Sequence, residues 1–269
     1  MGVVGLLRLL PEGWAIAVGK WLGRLAFRFM SRYRERSIIN IRAAFPGAAP
    51  GWVGNVARGS MEDLGASLAL ALRMAGLEAK ELVSRTRVVR AEHLERVLLS
   101  GLGTVVISAH TGCWEHLPAY LAALGKRVSV VAVPQAGLLE TRLLRGERAR
   151  LGVTEIGGDI RSLREAVRML SAGGVVVCPF DRCAGRDGFA MELLGRSVSL
   201  PSLGLRLSQM TQSWVLAVHA SRSATGPVLA FEPAFMIGPG AELPEVAAGL
   251  AGSVERWIRE DPKQRMWLD

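Results

Sequence analysis

The chain has 269 residues, half of them hydrophobic and 21% charged, with a net charge of +9. That length suits one large α/β unit with room for a helical appendage, and the composition excludes a disordered or fibrous protein. Three cysteines, Cys113, Cys178 and Cys183, are too few for a disulfide framework and form no paired CxxC set, which fits free thiols in a reducing compartment.

Residues 1–50 hold eight Lys/Arg against two acids, so +6 of the +9 lies there. The opening stretch is apolar but interrupted by Arg8, Glu12, Lys20, Arg24 and Arg28, leaving no uncharged run near the ~18–20 residues that cross a bilayer. It also lacks the unbroken core and cleavage site of a signal peptide. Wound as a helix, it places Val18, Leu22, Leu25 and Phe29 in a narrow arc, with Lys20, Arg24 and Arg28 as a separate stripe and Trp14 and Trp21 available at the boundary. An apolar face flanked by basic residues and tryptophans suits a helix lying in a membrane interface. The alternative is an amphipathic helix packed on its own domain. Arg32, Arg34, Arg36 and Arg42 follow, each able to attract anionic head groups by ~1 kcal/mol. Peripheral or monotopic attachment to a lipid surface is the expectation.

The GAAPG run at Gly47–Gly51 breaks the chain, so the expected units are a basic arm over 1–46 and a single domain over 47–269. A helix is expected at about 52–75 from the spacing of Met61, Leu64, Leu68, Leu70, Ala71 and Leu72. Beyond about residue 86, β-branched runs alternate with helical stretches. Strands are expected at 104–110, 127–134, 153–157, 174–181 and 214–220, and helices from about 114 and near 138–150 and 160–171. Continuous apolar strands separated by helices imply an α/β fold, with a mainly parallel central sheet flanked by helices on both faces. Ligands bind such sheets beyond the carboxyl ends of the strands, where two polar clusters fall.

The first cluster is Ser108-Ala109-His110-Thr111-Gly112-Cys113-Trp114-Glu115-His116. His110 ends a buried strand, Gly112 permits a sharp turn, and Glu115 falls in the first helical turn, from which it could reach back to the imidazole. A carboxylate on one ring nitrogen fixes the tautomer and makes the other nitrogen a general base. A histidine capping the turn, with a glutamate serving the helix dipole, is the alternative. Zinc on His110, Glu115 and His116 is a rival reading. The spacing is not HExxH, however, and Glu115 and His116 point to different helix faces, while His93 and His219 have no supporting ligand spacing. No metal is expected.

The second cluster, Asp181-Arg182-Cys183-Ala184-Gly185-Arg186-Asp187-Gly188, follows the strand GVVVCPF. It supplies a second carboxylate at a strand end and guanidinium donors for phosphate, or else a polar loop with internal salt bridges. Gly195-Arg196 then precede Leu200-Pro201-Ser202-Leu203-Gly204, a turn into a helix whose free amides could receive an anion.

The order HxxxxE, DRxxGRxG, LGRxxxLPxxGLRLSQ and VERWIREDPKQRMWLD resembles the bacterial lipid A late acyltransferases, the lauroyl/myristoyl acyltransferase family. Phosphatidylinositol mannoside acyltransferases share that broader family. The N-terminal arm leading to Asn40 and Phe45-Pro46 resembles it too, as does the tail Glu255…Pro262-x-Gln264…Trp267, so the resemblance covers nearly the whole chain. The tail lacks the basic ending common in the family, which leaves the acceptor open.

The resemblance implies a glycerolipid-acyltransferase-like fold and an O-acyltransferase on the cytoplasmic face of a bacterial inner membrane. It implies transfer of a fatty acyl chain from acyl-carrier protein or acyl-CoA, a co-substrate and not a cofactor, to a hydroxyl of a glycolipid such as a lipid A precursor. It would make His110 the base, Glu115 its acidic partner and Asp181 a further acid, with Arg182, Arg186, Gly195, Arg196 and Pro201 on the substrate side. Transfer would be direct, Cys113 being a small buried thiol and not a nucleophile. Another glycolipid or aminolipid acceptor, or a non-catalytic lipid-binding protein, remains an alternative. A nucleic-acid partner is not expected, because the arginines sit on an apolar arm, aromatics are sparse and no binding motif appears.

Overall fold

The computed structural model describes residues 7, 10–74, 76–132, 139–182 and 188–268, apart from the side chains of 139–143. Three helices lead the chain: α1 (Glu12–Phe29), α2 (Ser31–Ala44) and α3 (Pro50–Met74). Then come α4 (Ala79–Ser84), β1 (Arg87–Val89), α5 (Ala91–Leu99), β2 (Thr104–Ser108), α6 (His116–Ala123), β3 (Val128–Val131), α7 (Leu139–Arg150), β4 (Val153–Ile156), α8 (Ile160–Ser171) and β5 (Val175–Pro179). A hairpin of β6 (Gly188–Leu193) and β7 (Arg196–Pro201) leads into α9 (Leu203–Thr211), β8 (Trp214–Ser223), β9 (Gly226–Phe231), β10 (Phe235–Met236) and α10 (Leu243–Glu260). A short 3₁₀ turn, Pro262–Gln264, precedes the tail.

The five expected strands are β2, β3, β4, β5 and β8; the last two residues of the expected 127–134 segment, and the start of the expected helix at 138, lie outside the described residues. The main sheet runs β1-β9-β8-β2-β5-β3-β4, parallel from β8 to β4, while β9 and β10 pair antiparallel with β8. Side-chain alternation divides each strand between two cores. Val105, Ile107, Val176 and Cys178 face Leu170, Leu205 and Trp257, whereas Val106, Val128, Val177 and Leu216 face Leu82, Leu94, Leu117 and Leu121. Burying a side chain such as Ile107 or Leu117 contributes ~1.5–3 kcal/mol over leaving it exposed.

Helix α1 packs closely on α3 through small residues, while Phe27 lies half-buried against the core. Its buried strip is Ala15, Gly19 and Gly23. A Cβ on Gly19 would fall 2.4 Å from the carbonyl oxygen of Gly65, so glycine is what allows the two backbones to approach. Trp14, Trp21 and Phe29, exposed at 67%, 56% and 73%, face away from the protein with Leu22. Among the described residues, no helix is long and apolar enough to cross a membrane.

Candidate functional site

Strands β2 and β5 are parallel neighbours, with Ser108 opposite Pro179. Each chain runs two residues past that rung, so His110 and Asp181 arrive side by side from strand register alone. Asp181 Oδ1 accepts from the His110 backbone N–H at 3.1 Å and lies 2.8 Å from His110 Nδ1. The Asp181 side chain is fully buried, while that of His110 keeps 20% of its surface exposed.

Burial alone would push the Asp181 carboxyl upward. His110 beside it, the hydrogen bonds from that residue and Arg265 together outweigh burial and hold it well below the usual carboxylate range. An ionised carboxylate only accepts, so Nδ1 carries a proton, and in the neutral tautomer Nε2 bears the lone pair.

Arg265 was not among the residues expected at the site. Its Nη1 donates to Asp181 Oδ2 at 3.0 Å, and its guanidinium lies 5.2 Å from the Trp267 ring centre. The tail is pinned to the histidine turn by backbone bonds: Met266 N–H to His110 O at 3.1 Å and Gly112 N–H to Gln264 O at 2.7 Å. Gly112 has φ +48°, and a Cβ there would stand 2.4 Å from Gln264 Oε1. The turn therefore needs glycine on both conformational and steric grounds. Ser108 and Thr111 hydroxyls donate to Val218 O and Ala220 O, tying the end of β2 to β8.

The expected contact between His110 and Glu115 is not the one formed. Glu115 immediately precedes α6 and is buried, with Oε2 accepting from Arg148 Nε at 2.9 Å, and Oε1 from Trp114 Nε1 at 2.9 Å and from Arg148 Nη2. Arg148 Nη1 also binds Glu155 Oε1 at 2.8 Å. A planar guanidinium matches a carboxylate at two points, a stronger claim than one imidazole can make. Glu115 thus clamps α7 to the turn, while the Trp114 ring stands 5.9 Å from that of His110.

His116 is not gathered with them either. The Thr86 hydroxyl donates to Leu82 O, so it accepts from His116 Nε2 at 2.6 Å, and burial pushes the imidazole pKa down to about 4. Three candidate zinc ligands therefore have three separate engagements. Cys113 is buried, and that burial pushes its thiol up to about 12, which leaves no thiolate for nucleophilic attack.

Arg182 is half-buried next to Asp181; Arg186, like Cys183, lies outside the described residues. Leu194 and Gly195, with φ of +55° and +70°, form the far turn of the β6–β7 hairpin, and Arg196 begins β7 opposite Leu193. Arg196 Nη1 donates to Asn40 Oδ1 at 3.0 Å, and Asn40 donates in turn to Trp267 O. Pro201 pairs with Gly188 at the opposite end of the hairpin. At ~3.3 Å per residue the two ends stand roughly 20 Å apart, so this group is split along the hairpin.

A model of the bacterial lipid A biosynthesis acyltransferases matches residues 1–269. No individual curated protein matches the chain. Among solved structures, it is similar to the 1-acyl-sn-glycerophosphate (LPA) acyltransferase PlsC from Thermotoga maritima. The identity is 16% and the TM-score 0.42, over 91% of this chain and 97% of that one.

Proposed function

We propose that this chain, which belongs to the bacterial lipid A biosynthesis acyltransferase family and is an acyl-transferring enzyme, moves a fatty acyl group from acyl-carrier protein or acyl-CoA to a hydroxyl of a glycolipid, a lipid A precursor. The acceptor hydroxyl hydrogen-bonds to His110 Nε2. As its oxygen attacks the thioester carbonyl, the imidazole takes the proton, and Asp181 stabilises the cation that forms. The tetrahedral oxyanion, held by backbone N–H groups or an arginine, collapses with loss of the thiolate, which the imidazolium protonates. Arg265 keeps Asp181 ionised, and Arg182 and Arg186 meet phosphate or head-group oxygens. Glu115 acts as a positioning residue through Arg148 and Trp114.

The observation that carries this reading is the convergence of two His110 N–H groups on one oxygen of a fully buried aspartate. That arrangement leaves the other ring nitrogen as a partly exposed base. The outward Trp14, Trp21 and Phe29 support peripheral attachment through α1; the cytoplasmic face of the inner membrane is the location we assign from the family. The test is incubation of the purified chain with labelled acyl-carrier protein or acyl-CoA and a membrane lipid extract, followed by mass identification of the labelled lipid. Labelled glycolipid, with His110→Ala lowering its rate by ~10²–10⁴-fold, is expected. Vesicle binding with no thiol release would replace this reading with that of a lipid-binding protein.

A further inference from the structure

A cavity of about 430 Å³ opens between α1, α3 and the 3₁₀ turn, and Gln264, which lines it, also accepts from the Gly112 N–H. Its walls carry five cationic side chains, Lys20, Arg24, Arg58, Arg222 and Lys263, against three carboxylates, Glu62, Asp63 and Asp261. The carboxylates are largely committed. Glu62 pairs with Arg24 at 3.0 Å and faces Arg58 at 3.9 Å; Asp63 pairs with Arg222; Asp261 accepts from Lys263 N–H and Gln264 Nε2.

Lys20 and Lys263 are different: among the described residues neither ammonium has an ion pair or side-chain hydrogen bond. The Lys263 chain reaches the cavity by lying on Gly59, where a Cβ would come within 2.9 Å of its Cδ. Two uncommitted ammoniums lining one open polar cavity that has a surplus of positive charge suit a compact dianion.

We infer that this cavity, lined by Lys20 and Lys263, is a binding site for a phosphate group. Its occupant is either the phosphate of a membrane lipid head group or free phosphate. Lys20 and Arg24 belong to the same helix as the outward Trp21, so a lipid phosphate enters at head-group depth if α1 lies in the interface. The lipid source therefore rests on the docking read for α1, whereas the phosphate site does not. Lys263 is two residues from Arg265 in sequence, so the occupied cavity borders the tail that holds Asp181.

The full chain is titrated with inorganic phosphate at constant ionic strength, followed by ³¹P line broadening, and is separately sedimented with phosphatidylcholine vesicles with and without phosphatidate. A Lys20→Met/Lys263→Met variant is compared with an Arg161→Met/Arg164→Met variant, which removes equal charge from exposed positions of α8. Weakening of about ten-fold in the cavity variant, with little change in the control and recovery in Lys20→Arg/Lys263→Arg, is expected. That dependence with phosphatidate vesicles identifies a lipid phosphate; with inorganic phosphate and no vesicle binding, it identifies free phosphate and removes the docking of α1 alone. Equal weakening in both variants, or none in either, overturns the phosphate site.

Discussion

Asp181 Oδ1 stands 2.8 Å from His110 Nδ1, although 71 residues of chain separate them. The pair exists because two parallel strands end in register, and each is followed by one apolar residue before the polar one. Its chemistry follows from the asymmetry of burial, with a carboxylate sealed from water beneath an imidazole that is not. Asp181→Asn keeps the volume but replaces the accepting charge. Turnover should fall by ~10²–10⁴-fold, KM should change little, and combining it with His110→Ala should add almost nothing. Single-turnover acyl transfer measures this; a double variant losing the product of the two single losses would show that the residues act separately.

Glu115→Gln leaves the Arg148 fork facing a neutral amide. Breaking a fully buried ion pair costs about 3–5 kcal/mol, and the arm that Arg148 keeps on Glu155 reduces this to about 2–3 kcal/mol. Urea unfolding should reveal the loss, with activity recovering at lower temperature as the fold is restored. Abolished turnover with unchanged stability would instead place Glu115 in the chemistry.

Cys113→Ala should retain most of the activity, because a thiol raised by burial to about 12 supplies no thiolate at neutral pH. Native protein should also resist iodoacetamide at this position, as peptide mapping can check. Loss comparable to that of His110→Ala would reinstate a covalent acyl-enzyme.

Burial lowers His116 and His219 to about 4. An unfolded histidine titrates near ~6.5, so between these values the unfolded chain binds more protons and stability falls as the pH falls. Each contributes a loss of about 2 kcal/mol between pH 7 and pH 5. Below about pH 4 both states are protonated and the contribution is fully lost. His116→Gln can keep the donor to Thr86 without the titration, so denaturant melts at the two pH values should differ by about 2 kcal/mol less than in the parent. Asp181 has the usual carboxylate sign: its contribution is present above about pH 4 and is lost as acid protonates it.

Replacing Trp14, Trp21 and Phe29 together by Ala should reduce vesicle binding by at least about ten-fold while changing unfolding free energy by under about 1 kcal/mol, since these side chains are exposed. Sedimentation and thermal melts on the same samples separate the two effects. A large stability loss without loss of binding would show that the aromatics serve the fold and not the lipid.

The sequence alone determined what depends on periodicity and local turn chemistry. The β-branched runs within 104–110 and 174–181 read as buried strands, and the polar residue closing each, His110 and Asp181, stood out as a candidate. The expected apolar arc of α1 was met only in part: Leu22 and Phe29 are exposed, whereas Val18 and Leu25 are half-buried. Its buried strip was less legible: small residues give no hydropathy signal, and Gly19 and Gly23 matter only because Gly65 faces them. The partner of His110 was decided by tertiary structure alone. Glu115 was near in sequence, yet Arg148, from α7, took both of its oxygens, while Asp181 reached the ring across a strand pair. Arg265 lay within the tail that carried the resemblance, but its bond to Asp181, 84 residues away in sequence, was not legible. Local sequence fixes what an element is; which charges meet is settled by long-range packing, where the best-matched pair in reach excludes its competitors.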